Sequence, residues 1–226
     1  MRPFFKFVFL VLLIPVIYAF VMAAWSFLVY HAELFWENWV TYGFIFYILL
    51  YVLLLRPRVT FLEIFEHELA HTVAALLFFR SVKLFAVFPE GGVMRHQGGS
   101  SSLVNTIITL APYFLPVFAL PMLLVKPFMT SPMNQVVDFF IGLFLAFHYA
   151  SLFVEFSPRQ SDIVKTELVV ALFVVIFFNA IFTVLALSFA LGEYDYLMAY
   201  IKDALATAWR SYQAIGLELI SPHKGM

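Results

Sequence analysis

Two histidines and a glutamate in the pattern H-E-x-x-H are the residues of this chain best suited to chemistry: His67, Glu68 and His71. On an α-helix, residues four apart lie about 40° apart around the axis and about 6 Å apart along it, so both imidazoles can reach one ion. Glu68 falls between them in angle and can act on a water molecule that completes the coordination shell of that ion. This pattern is typical of a catalytic zinc site.

The chemistry of such a site is hydrolysis. Zinc with three protein ligands and one open position lowers the pKa of its bound water to about 7, and a nearby carboxylate can pass the water proton to a leaving amine. The sequence contains no cysteine, which excludes disulfides, thiolate ligands and cysteine nucleophiles. A third strong metal ligand would therefore be another histidine, aspartate or glutamate.

The composition indicates a membrane protein. Of 226 residues, 64% are apolar and 12% are charged, whereas soluble domains carry about 25% charged residues. About 20 helical residues cross a bilayer, and backbone in lipid must satisfy its own hydrogen bonds, so long apolar runs predict spanning helices. The predicted fold is an all-α polytopic membrane protein of about six transmembrane helices, multi-pass and integral to the lipid bilayer. The predicted spans are 7–30, 39–55, 59–79, 103–125, 136–156 and 163–191.

The chain is predicted to divide into a transmembrane core that holds the metal-site motif, residues 1–192, and a C-terminal segment, residues 193–226. Within the core, the polar loop 80–102 contains two β-prone runs and predicts a small β-hairpin that turns at Gly91-Gly92. The C-terminal segment has apolar residues every three or four positions opposite charged ones, which predicts an amphipathic helix lying in the membrane interface. Three closely spaced prolines predict a kinked or partly broken fourth helix: Pro112, Pro116 and Pro121.

The charge distribution limits the partners and the orientation. The net charge is −1, and no Lys/Arg cluster is interleaved with aromatic residues, so nucleic acid is not expected as a partner. The bias of Lys and Arg between the two sides of the predicted spans favours cytoplasmic termini. The apolar run 7–30 is longer than the core of a secretory signal, which favours a retained first span, although small residues near Ala19 leave cleavage open.

Several stretches together resemble the site-2 protease-like family of intramembrane zinc metallopeptidases, over about residues 60–165. They are the HELAH helix, the glycine-rich stretch 90–99, Ala111-Pro112-Tyr113 and Ser161-Asp162. The resemblance implies that His67, His71 and Asp162 bind Zn²⁺ and that Glu68 is the catalytic base. It also implies that a β segment near the motif helix presents an extended membrane-protein substrate.

The third ligand departs from the family pattern. Better-known members carry an Asp-Gly motif with Asn-Pro, whereas here Asp162 is followed by Ile163. Asp138 and His148 are the alternative third ligands. The connections are too short to contain an inserted PDZ-like domain, so regulation by such a domain is not expected.

The predicted function is hydrolysis of peptide bonds in membrane-embedded or membrane-adjacent proteins by zinc-activated water. One alternative is a non-catalytic zinc-binding membrane regulator or scaffold derived from such peptidases, and another is a metal-ion transporter. The intact Glu68 favours the enzyme. A transporter would need polar residues at several depths, whereas here they concentrate around one site.

Four other polar residues have ordinary interpretations. Glu63 is predicted to be an interfacial carboxylate, with a role as a hydrogen-bond partner behind the metal ligands as the alternative. Glu66 is predicted to be a charge at a cavity or boundary. His148 and Asn179 are predicted to make packing hydrogen bonds between helices.

Overall fold

A computed structural model describes residues 3–55, 60–99 and 101–220 of the chain, and these are mostly helical with a small two-stranded antiparallel sheet. A π-helical turn, Tyr51–Leu55, continues the helix Trp39–Leu50. The helices are α1 Pro3–Tyr30, α2 Ala32–Glu37, α3 Trp39–Leu50, α4 Thr60–Leu77, α5 Ser102–Leu110, α6 Ala119–Val125, α7 Met133–Glu155, α8 Ser161–Thr166, α9 Leu168–Leu191 and α10 Tyr194–Ile220. The strands are β1 Val82–Phe88 and β2 Gly91–His96.

Among the described residues, three helical segments are long and apolar enough to cross a membrane: Leu10–Tyr30 of α1, α7 and α9. The prediction of about six spans is therefore not supported. The apolar helix over Trp39–Leu54 is shorter. Helix α4 forms where the third span was predicted. Its 18 residues include the histidines and glutamates of the H-E-x-x-H region, and it is not among the candidate spans.

The fourth predicted span is three pieces rather than one helix. Helix α5 ends at Leu110, a 3₁₀ turn follows over Ala111–Tyr113, and α6 begins only at Ala119. Proline has no N–H to donate and its ring clashes with the preceding turn, so the three closely spaced prolines prevent a continuous helix. The predicted break is confirmed. The buried 3₁₀ turn packs against α4 and forms part of the largest buried apolar cluster.

The sixth predicted span also begins later than expected. Residue Glu167 has a backbone φ of 69°, in the left-handed region, and it separates the short helix α8 from α9. A non-glycine residue in this conformation costs about 1–3 kcal/mol and persists only where its surroundings hold it. The break leaves α8 as an independent element that packs against α5.

The predicted hairpin is confirmed, with a shifted turn. Pro89 and Glu90 form the turn, and the glycine pair begins β2 instead, with Phe88 opposite Gly91. Both strands pack against α4. The hairpin therefore lies over the helix that carries H-E-x-x-H.

Helix α10 forms as predicted and is amphipathic, but it does not lie across the ends of the spans. It runs antiparallel along α1: the Tyr200 hydroxyl donates to the Phe20 carbonyl (3.2 Å), and further along, Tyr212 donates to the carbonyl of Leu12. Ala204 and Ala208 are buried in this contact. Small residues allow two helices to approach closely along their length, which an amphipathic pattern alone does not reveal. This packing along the candidate span of α1 does not fit the predicted placement of α10 in the membrane interface.

Candidate metal centre

Helices α4 and α8 bring His67, His71 and Asp162 together. The Nε2 atoms of His67 and His71 lie 3.3 and 3.2 Å from the same carboxylate oxygen, Oδ2 of Asp162. Their candidate ligand atoms all lie within 4.8 Å of one another, and the three residues are only 7–9% exposed. This buried group could hold a metal ion.

The spacing of these atoms suits a tetrahedral ion. With metal–ligand bonds of about 2.0–2.1 Å, two ligands of a tetrahedral site lie about 3.3–3.4 Å apart. The distances from Asp162 Oδ2 to the two Nε2 atoms, 3.3 and 3.2 Å, are close to this value. Three protein ligands would leave one position for water or substrate.

Each candidate ligand is held by a second group on its far side. The Nδ1–H of His67 donates to Oε2 of Glu155 (2.7 Å), and that of His71 donates to the carbonyl of Ile108 (2.8 Å). The Lys165 ammonium donates to Oδ1 of Asp162 (3.1 Å). Occupying Nδ1 in this way leaves the Nε2 lone pairs free to face Asp162, which is how metal-ligating histidines are normally oriented.

Asp162 lies outside the three helices that can span a membrane. Burial alone would raise the pKa of its carboxyl, but the adjacent His67 and His71 imidazoles and the Lys165 ammonium hold that pKa well below its usual range. The carboxyl is therefore ionised at neutral pH, as a metal ligand must be.

Glu68 lies beside this group on a cavity of about 460 Å³. The carboxylate is 8% exposed and interacts with the backbone amide of Met94 in β2. A Cβ atom at Gly92 would overlap the Glu68 side chain, so only glycine lets the strand pass this closely. The cavity wall is formed by α4, β2 and the start of α8, with Gln160 and Glu155.

The alternative third ligands lie elsewhere. Asp138 forms a buried salt bridge with Lys126 (2.5 Å), and His148 pairs through Nδ1 with Oε1 of Glu66 (3.2 Å). Neither belongs to a metal-binding group among the residues that the structure describes. The packing interpretation of His148 is confirmed. Glu66, predicted to be a charge at a cavity or boundary, is 1% exposed and paired with His148.

The structure also gives the burial of Glu63 and the hydrogen bonds of Asn179. Glu63 is 9% exposed, so the protein covers most of its side chain, and its position at the membrane interface stays a prediction. Asn179 donates to the carbonyls of Tyr113 and Val175, each at 2.8 Å, as expected of a residue that joins helices. This bond holds the 3₁₀ turn whose Tyr113 ring packs edge-on against His67.

Sequence reasoning missed Glu155. Glu155 is the last residue of α7, a position where a carboxylate is normally solvated. No local sequence pattern links it to His67, which is 88 residues away. Its tertiary pairing alone reveals it as the acceptor behind a ligand.

We expect Glu155→Gln to weaken zinc binding by about 10- to 100-fold. Without the carboxylate behind it, the imidazole of a ligating histidine is less basic and less firmly oriented. The dissociation constant is measured by competition with a chromophoric chelator in detergent. Glu90→Gln, at the rim of the same cavity, controls for removing one negative charge. An unchanged constant in Glu155→Gln, or equal weakening in both variants, would contradict this role.

Comparisons with protein-family models, with curated proteins and with solved structures found no match to this chain. What the site can do is therefore argued from its residues. Two imidazoles and a carboxylate could hold a metal ion, and a further carboxylate adjoins them on the same cavity.

Proposed function

We propose that this chain is a zinc metallopeptidase of the site-2 protease-like kind, which hydrolyses peptide bonds of membrane-embedded or membrane-adjacent proteins. The observation that carries the proposal is the convergence of His67, His71 and Asp162 beside Glu68 on one open cavity. A packing network could give the same N···O distances, but it would not need a further acid beside these groups on the same cavity.

The donor set supports zinc as the ion. Two imidazole nitrogens and one carboxylate oxygen form the ligand set of many catalytic zinc sites, in which the fourth position is open. When bound, zinc would supply Lewis acidity, lowering the pKa of a coordinated water and polarising the substrate carbonyl. The resemblance of the H-E-x-x-H helix and the Ser161-Asp162 segment to the family supports the same assignment.

Glu68 would act as the general base and then as the general acid. As the water oxygen bonds to the peptide carbon, the Glu68 carboxylate takes the water proton; as the C–N bond breaks, it gives that proton to the leaving nitrogen. The 8% exposure of Glu68 and its contact with β2 keep the carboxylate in one place beside the ligands. Such positioning reduces the reorganisation that proton transfer would otherwise need.

The substrate would lie extended along β2. A helical substrate hides its carbonyls in its own hydrogen bonds, so it must unwind before hydrolysis. The strand residues on the cavity wall, Gly91–Met94, belong to β2. Since β2 pairs only with β1, within the described residues its other edge is available to add a strand.

We also propose that both termini face the cytoplasm. The antiparallel packing of α10 on α1 supports a common side for the two ends, because the start of α1 and the end of α10 then lie at the same end of the molecule. The choice of the cytoplasmic side rests on the Lys/Arg bias counted over the six predicted spans, of which the structure supports three.

The proposed function is tested by metal removal. We expect the purified protein to cleave members of a panel of fluorogenic peptides derived from transmembrane segments. Dialysis against o-phenanthroline should abolish cleavage, and stoichiometric Zn²⁺ should restore it. Cleavage that persists without metal would refute the zinc mechanism, and a zinc-loaded protein that cleaves no peptide would favour the non-catalytic regulator.

A further inference from the structure

Helix α10 carries charged residues to the depth of a membrane span. Its Tyr200 bonds to Phe20, which is the middle residue of the apolar segment Leu10–Tyr30 of α1. Lys202 and Asp203 follow within one helical turn, so they lie within about 5 Å of the mid-span level. The α1 helix is apolar on all sides, and its neighbouring residues are exposed as lipid-facing residues would be, including Val21 and Trp25.

These two charges lie on the outer face of α10. Tyr200, Ala204 and Ala208 are buried against α1, whereas Lys202 and Asp203 are exposed. In the described part of the chain, neither forms a salt bridge or side-chain hydrogen bond. A charged residue that faces lipid near the bilayer centre is energetically costly. We therefore expect another protein surface to shield this face of α10 from lipid.

We propose that a second copy of this chain covers it, through parallel pairing of the two α10 helices. Two copies in one bilayer share the same orientation, so the two-fold axis lies along the membrane normal and each residue meets its counterpart at equal depth. Lys202 of one copy then lies opposite Asp203 of the other, and the symmetry forms this pair twice. The face carries one charge of each sign at this depth, so it complements itself.

Other residues of the face suit this pairing. Ala199 and Ala206 are exposed on the same side as the two charges, and small residues let membrane helices approach within reach of such polar contacts. Arg210 lies further along, toward the end of the span, from where its long side chain can reach the interface.

The pairing leaves the metal centre free. Helix α10 packs against α1 and α9, whereas the cavity is formed by α4, β2, α8 and the end of α7. The proposal therefore stands or falls independently of the peptidase activity.

Single-cysteine crosslinking tests it, because the chain contains no cysteine of its own. The full-length protein with Ala206→Cys is reconstituted in phosphatidylcholine vesicles at low protein density and oxidised with copper phenanthroline. We expect a disulfide-linked dimer. Ile14→Cys, exposed on α1 and as many residues from Phe20 as Ala206 is from Tyr200 on the antiparallel helix, is the matched control and should give little dimer. Equal crosslinking at both positions, or none at Ala206→Cys, would overturn the proposal.

Charge-reversal variants show whether dimer formation depends on the Lys–Asp pair or only on the closeness of the two helices. In the Ala206→Cys background, Lys202→Asp or Asp203→Lys alone should lose most of the crosslinked dimer, and the double exchange should restore it. The thermal unfolding midpoint of each variant in detergent checks that it is folded. Failure of the folded double variant to recover dimer, or a monomer by single-molecule photobleaching, would refute pairing between copies and favour a different membrane partner on this face.

Discussion

Glu68→Gln is expected to slow peptide hydrolysis by about 100- to 10,000-fold while zinc content stays at the wild-type level. Glutamine keeps the size of the side chain and can still lie between α4 and Gly92, but it cannot accept the proton of the attacking water. The first-order rate of peptide cleavage at saturating substrate measures the effect. Zinc content is measured on the same preparation by plasma mass spectrometry.

The matched control is Glu33→Gln, the same chemical change at an exposed position in α2, outside the cavity. It should cleave at the wild-type rate. Activity of Glu68→Gln within a few fold of wild type would exclude Glu68 as the base. A fall in both activity and zinc content would instead indicate that Glu68 supports the metal site.

The H-E-x-x-H site could be predicted because its geometry is local. Once residues 60–77 are helical, the positions of His67 and His71 follow from the helical repeat, and no tertiary information is needed. The same holds for α1, α7 and α9, whose long apolar runs leave a helix as the only structure that satisfies the backbone in lipid. The proline-rich break after α5 is also a local effect.

The remainder of the site depends on contacts between distant segments. Asp162 meets His67 and His71 across 95 and 91 residues of sequence. Asp162 could be predicted as the third ligand only because the Ser161-Asp162 segment resembles the family. Glu155 had no such signal, because an acid at a helix end is ordinary in a membrane protein. The carbonyl of Ile108 behind His71 carries no residue-type signal at all.

The errors in the fold have a common physical origin. Hydropathy reports how apolar a window is, and it does not report whether one continuous helix fills that window. The run 163–191 is apolar throughout most of its length, yet it is interrupted at Glu167. Similarly, the amphipathic pattern of α10 identifies a face without identifying what covers it, so packing along α1 was not foreseen.

Asp162→Asn is the change that tests the metal centre itself. An asparagine is a much weaker zinc ligand than a carboxylate, and it also removes the charge that faces both Nε2 atoms. We expect wild-type protein to retain about one zinc ion per chain after gel filtration in chelator-free buffer. Asp162→Asn should retain far less.

Asp138→Asn is the matched control, since it makes the same substitution in the acid that competes for the role of third ligand. It should keep its zinc, although leaving Lys126 buried without its partner should lower the free energy of unfolding by about 3–5 kcal/mol. Zinc stoichiometry of the three proteins, measured side by side, is therefore the decisive measurement. Zinc lost from Asp162→Asn and kept in Asp138→Asn is the predicted result; zinc kept in Asp162→Asn, or absent from wild type, would contradict the metal centre.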